Sequence, residues 1–162
     1  MATGDTIAKF SPLHNEPPAA SPMTFDTRNA HPVLDADGTT NESAVFSDVM
    51  PRHYSGCGVT TYLHFAMSIS ASGDVDLDVA FERIGEIQDL DSDGFAAAQS
   101  VDNTTVASVI GEITIASLAH TEGAQMDSIA VGEGYRLKVT RDGANDTAGG
   151  DMELRFVEIK ET

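Results

Sequence analysis

The sequence predicts an all-β fold, an antiparallel β-sandwich or jelly roll with an extended N-terminal arm, and three observations predict it. Apolar and polar residues alternate with period two along several stretches, as strands with one buried face require. Clusters of Gly, Asn, Asp and Ser interrupt those stretches every 10–15 residues or so (about seven to nine strands in all), the rhythm of a two-layer β domain. No stretch sustains a helical apolar pattern beyond about two turns, so the crossover helices of a parallel α/β fold are missing.

Taken in order, the first part of the chain is the least regular. The stretch DTIAKF (5–10) has strand character, but SPLHNEPPAASP (11–22) carries Pro12, Pro17, Pro18 and Pro22, which forbid helix and central strand. Residues 1–22 therefore read as an extended proline-rich arm suited to lie on another surface, and residues 23–162 as a single β-sandwich domain. MTFDTRN (23–29) and SAVFSDVM (43–50) are strand candidates. In VTTYLHFAMSIS (59–70), Val59, Leu63, Phe65, Met67 and Ile69 point one way, and Thr60, Tyr62, His64, Ser68 and Ser70 the other. DVDLDVAFERI (74–84) repeats the pattern, with Val75, Leu77, Val79 and Phe81 inward and Asp74, Asp76, Asp78 and Glu82 outward. With a short turn between them, the two read as a hairpin.

Strands follow in QSVDNTTVAS, GEITIASLA and GYRLKVTRD, with AQMDSIAVG offering one short turn and RDGANDTAGGD a loop. The last strand, DMELRFVEIKE, places Met152, Leu154 and Phe156 on one face. Its phase then slips, putting Val157 and Ile159 on the other. A slip signals either a bulge or a strand end covered on both faces.

Composition narrows the function. Acidic residues outnumber basic ones 26 to 9, a formal charge of −17. A body that negative repels nucleic-acid backbones and anionic membranes, so neither is an expected partner. The single cysteine, Cys57, implies no disulfide framework. The N-terminus shows no basic and apolar signal pattern, and no run of about 18 apolar residues marks a membrane-spanning helix.

Catalytic motifs are missing too. DLDSDG (89–94) opens as a calcium loop does, but position twelve of such a loop, where an EF-hand places a bidentate Glu, is Ser100. The spacing reads first as a turn, with Asp89, Asp91 and Asp93 holding Ca2+ as the alternative and no other cofactor implied. His14, His31, His53, His64 and His120 are scattered, with no zinc-binding spacing. No G-x-S-x-G elbow exists, and only Arg52 and His53 stand near Cys57 to lower its pKa. The chain is read as a non-enzyme.

Five of the nine basic residues, Arg136, Lys138, Arg141, Arg155 and Lys160, fall on the last two strand candidates. If those strands pair, the stripe is either ordinary cross-strand pairing with Glu133, Glu153 and Glu158 or a docking face. The outward phase of Val157 and Ile159 marks that edge as an interface candidate.

The run FSPLHNEPPAASPMTFDTRNAHPVLDADGTTNESAVFSDVMPRHYSG, with GDVDLDVAFERI, DSDGFAAAQSV and YRLKVTRDGANDTAGGDMELRFVEIKE, resembles small jelly-roll virion proteins of tailed bacteriophages. The likeness is to the head decoration, or cement, type. The resemblance implies a capsid-exterior protein made in the host cytoplasm, without catalytic residues. Its partners would be the major capsid protein and copies of itself, as a homotrimer. The interface residues proposed on that basis are Asn15, Glu16, Pro17, Pro18 and Pro22 of the arm, with Val157 and Ile159. The competing expectation is a glycan- or receptor-binding jelly-roll module of a head or tail fibre. With no Trp, that reading depends on exposed aromatics, and of the only tyrosines, Tyr54, Tyr62 and Tyr135, two fall in strands, which favours the structural reading.

Overall fold

The computed structural model describes residues 4–69 and 71–162, so the expectations for residues 1–3 and Ser70 lie outside the described residues. The chain folds as a jelly-roll β-sandwich of two antiparallel sheets. Its strands are β1 (Thr6–Phe10), β2 (Thr24–Arg28), β3 (His31–Ala36), β4 (Glu42–Val49), β5 (Val59–Met67), β6 (Asp74–Ile84), β7 (Gln99–Thr105), β8 (Thr114–His120), β9 (Gly134–Arg141) and β10 (Met152–Glu161). One six-stranded sheet runs β2-β3-β10-β5-β8, with β1 pairing β10 beyond the end of β3; the other runs β4-β9-β6-β7.

The alternation in the sequence becomes the core, with two corrections: Ile69, expected inward, lies past the end of β5 and is exposed, and Glu82, expected outward, is buried against Arg136. Val59, Leu63, Phe65 and Met67 of β5 face Val75, Leu77, Val79 and Phe81 of β6 and Leu137 and Val139 of β9, all buried. Phe10 of β1 stacks on Phe46 of β4 at 5.2 Å, tying the two sheets together.

Four further expectations are corrected. β5 and β6 are not a hairpin, because they belong to different sheets and the linker between them crosses the sandwich. Alternation records which face is buried, and both sheets bury one, so the pattern cannot say which sheet a strand joins. For the same reason β9 and β10 do not pair. Arg136 and Lys138 stand on one sheet and Arg155 and Lys160 on the other, while Arg141 is fully buried. Glu133, Glu153 and Glu158 pair instead with Arg83, Arg28 and Lys9.

Third, the phase slip in β10 is a bulge. The register with β5 shifts between Leu154 and Phe156, so Met152, Leu154, Val157 and Ile159 all face the core and Phe156 faces out. Val157 and Ile159, taken as interface residues, are 1% and 0% exposed and unavailable to a partner.

Fourth, the proline-rich segment is extended but lies on its own domain. Ala8 and Phe10 of β1 and Pro12 are buried. Asn15 Oδ1 accepts from the Val45 N–H, the Glu16 N–H donates to the Val45 carbonyl, and Pro22 bridges Ser43. Ser47 Oγ donates to Glu16 Oε2, while Pro17 and Pro18 line a shallow depression over β4 and β9. Prolines cannot donate to a ladder, so the segment runs beside β4 without completing a strand.

Two local features were not legible. β3 was missed because its hairpin tip is Asn29–Ala30, not Asn-Gly. Both residues take left-handed backbone, φ 47° and 64°, as a two-residue hairpin turn demands. Arg141 sits inside the sandwich, its Nε 2.7 Å from Asp146 Oδ2. Nη1 donates to the carbonyls of Ala36 and Gly150, and Nη2 to that of Ala148.

A candidate binding groove on the six-stranded sheet

The β10 bulge creates the site. A bulge sets two residues opposite one, and here Arg155 and Phe156 stand against His64 of β5. Phe156 is 44% exposed, a cost for an aromatic ring that has no core to enter. The His64 ring meets it edge-on, centroids 6.3 Å apart and planes at 86°. The Arg155 guanidinium lies 4.0 Å from the Phe156 ring centroid, a cation–π contact that fixes both side chains.

Two elements wall this floor. On one side the β2–β3 hairpin presents Arg28, whose Nη1 lies 3.0 and 2.8 Å from the two carboxylate oxygens of Glu153 on β10. On the other, the β7–β8 loop carries Ile110, Gly111 and Ile113. Gly111 has φ +82°, and a Cβ there would sit 2.9 Å from Arg28 Nε, so only glycine lets the arginine pack against the loop. The Gly111 N–H donates to the Met67 carbonyl at the end of β5, so the β7–β8 loop folds back over the outer face of the sheet to reach Arg28. The resulting open groove encloses about 640 Å3.

Its lining is mostly apolar, with Arg28, His31, His64, Glu112, Glu153 and Arg155 as the titratable groups. Among the described residues no serine, threonine or cysteine lines it. Next to Glu153, its cross-strand partner Asp35 has its carboxyl pushed up to about 6. Partial burial is the main cause, and the charges of Asp26, Glu153 and Asp151 add to it.

The calcium expectation fares differently. Asp89 Oδ1 accepts from the Asp91 N–H, the Asp89 carbonyl accepts from the Ser92 and Asp93 N–H groups, and Asp93 is bonded to Gln88. These are the bonds of a turn. Among the described residues no three His, Cys, Asp or Glu side chains converge as metal ligands, so Asp89, Asp91 and Asp93 form no preassembled site. Of the tyrosines, Tyr54 and Tyr135 are buried and Tyr62 is half-buried. The exposed ring of the groove is Phe156, which alternation alone had placed with the core; the phase slip beside it was the signal that could have found it.

An open groove on the face of a jelly-roll sandwich, floored by an aromatic ring and rimmed by a few polar groups, has the form of a small-ligand binding module. No family model matches the chain, and no curated protein matches it. Among solved structures it is similar to the CBM22-1 xylan-binding domain of Xyn10C from Paenibacillus barcinonensis (TM-score 0.52, 13% identity, 99% of this chain and 96% of that one). It is equally similar to the xylan-binding module CBM15 (TM-score 0.52, 11% identity, 98% of each). In the CBM22-1–GH10 portion of xylanase 10B from Clostridium thermocellum, the whole of this chain matches 29% of the other (TM-score 0.52, 13% identity). At these identities the likeness is one of fold.

Proposed function

We propose that the chain is a non-catalytic glycan-binding module whose binding surface is the groove of Phe156, His64 and Arg155. The observation that carries the reading is the β10 bulge, which turns an aromatic ring out of the core into a preformed groove. A sugar ring offers an apolar face to stack on such a ring and hydroxyls for the polar groups around it. Arg28 and Glu153 hold each other fixed, and the His64 ring is set against Phe156, so the ligand finds the groove ordered in advance. The fold supports the same reading, since the similar structures are described as xylan-binding modules.

Affinity electrophoresis in gels containing soluble polysaccharides tests it. The wild type is expected to be retarded by at least one of them. Phe156→Ala is expected to weaken that binding about 10-fold, or ~1.4 kcal/mol, with an unchanged thermal midpoint. Free migration in every polysaccharide would remove the glycan reading.

A second reading, decoration of a phage capsid, is favoured by one observation. Val109, Ile110, Ile113 and Ile115 remain 47–54% exposed beside the groove, an apolar row that suits a protein partner. Co-sedimentation with purified capsids, lost on Ile113→Ser/Ile115→Ser, would support it.

A further inference from the structure

Resting on the glycan-binding reading, we infer that the groove selects a sparsely charged acidic polysaccharide, holding one sugar carboxylate on the guanidinium of Arg155. The inference starts from how the cations of this chain are used. Lys9, Arg28, Arg83, Arg136 and Arg141 each have a carboxylate partner, Lys138 stacks on Phe95, and of the remaining cations, Arg52, Arg155 and Lys160, only Arg155 lines the groove. Arg155 has no carboxylate within ion-pair distance among the described residues. Its Nη1 is buried beside Phe156 without a hydrogen-bond partner, and no other Lys or Arg nitrogen among the described residues is so left. A guanidinium nitrogen that donates to nothing is costly, and because Arg155 as a whole is only half-buried, a turn of its side chain would let an acceptor from outside satisfy that nitrogen.

Local charge points the same way. The whole chain carries −17, yet the groove lining balances Arg28 and Arg155 against Glu112 and Glu153. Arg28 and Glu153 neutralise each other, which leaves Arg155 facing the exposed Glu112. The groove lining is thus formally neutral, although Asp26, Asp35 and Asp151 add negative charge beside Glu153. A densely charged polymer would be repelled by the rest of the negative surface, whereas isolated carboxylates on a neutral backbone would not. The Arg155 guanidinium carbon sits 4.0 Å from the Phe156 ring centroid, and its planar fork is of the kind that matches a carboxylate. Phe156 would stack the sugar that bears the acid.

The test uses glucuronoxylan, whose uronates are spaced along a neutral chain, against the same polymer after chemical reduction of its carboxyl groups. Isothermal titration with the wild type is expected to show about 10-fold tighter binding to the acidic form. Raising NaCl to about 0.5 M is expected to shrink that advantage and to leave binding of the reduced polymer unchanged. Arg155→Gln is expected to bring the two polymers within about twofold of each other at an unaltered thermal midpoint, with partial recovery in Arg155→Lys. Equal, salt-independent affinity of the wild type for both polymers would overturn the inference while leaving the glycan reading in place. Binding to neither polymer, nor to any neutral polysaccharide, would overturn both.

Discussion

Arg141 occupies a position that the alternation of β9 assigns to an apolar side chain, and it is 0% exposed. What makes this tolerable is that four of its five N–H donors are used: Asp146 takes Nε, and the carbonyls of Ala36, Ala148 and Gly150 take the two terminal nitrogens. Two of those carbonyls and Asp146 belong to the loop joining β9 to β10, so one side chain shapes the crossing between the sheets. Removing it would leave the Asp146 carboxylate, with a side chain 1% exposed, buried and unpaired. Arg141→Met is expected to destabilise the fold by about 3–5 kcal/mol, read as a lowered denaturant midpoint. The double variant Arg141→Met/Asp146→Leu is expected to recover part of that loss, because it no longer strands a charge. The presence of Arg141 was plain in the sequence, but its burial was not. A basic residue at the end of a strand reads as solvated until the loop that covers it is in place.

Among the elements, β10 carries the most information. It pairs with β3, β1 and β5, and its bulge lets Leu154 and Val157 share a face although an even spacing would separate them. The slip of phase was visible in DMELRFVEIKE. Which residues went outward was not, because each half of the strand alternates correctly by itself. Deleting Arg155 leaves Leu154 in, Phe156 out and Val157 in, a regular strand. That deletion is expected to retain a cooperative thermal transition. Inserting one alanine after Phe156 would carry Val157 and Ile159 to the solvent face, and circular dichroism is expected to show the cooperative transition lost. The β2–β3 hairpin was the element hidden altogether, because nothing in Asn29–Ala30 announces a turn and the ladder to β10 is what imposes one.

Across the whole molecule, charge governs stability. Asp35 titrates at about 6 in the folded state against an ordinary 3.8, because half-burial and neighbouring acids disfavour its anion. The folded chain therefore binds more protons than the unfolded chain between those values. This contribution to stability is present below about pH 4, falls as pH rises through 6, and stays lost above. Glu133 acts oppositely: the Arg83 hydrogen bond holds it at about 2, so its contribution is present above the usual glutamate range and disappears as pH falls through 2. Asp35→Asn is expected to raise the thermal midpoint at pH 7 by a few degrees (~1 kcal/mol after screening of its exposed half). At pH 4 it is expected to change little. An equal shift at both pH values would mean that packing, not ionisation, sets the effect.

By itself the sequence determined the all-β class, nine of the ten strands and the apolar residues of β5 and β6 that enter the core, because burial of one strand face is written locally as a period of two. It also determined the negative surface that disfavours nucleic acid, since charge is additive. Tertiary structure alone decided the rest. Sheet membership depends on non-local pairing, so the β5–β6 link and the fate of the proline-rich segment could not be read from neighbours in the chain. The groove is the clearest case. Arg28, Gly111 and Phe156 come from a hairpin, a loop and a bulge far apart in sequence. They meet only because the β7–β8 loop folds back over the sheet to the β2–β3 hairpin, with the β10 bulge between them.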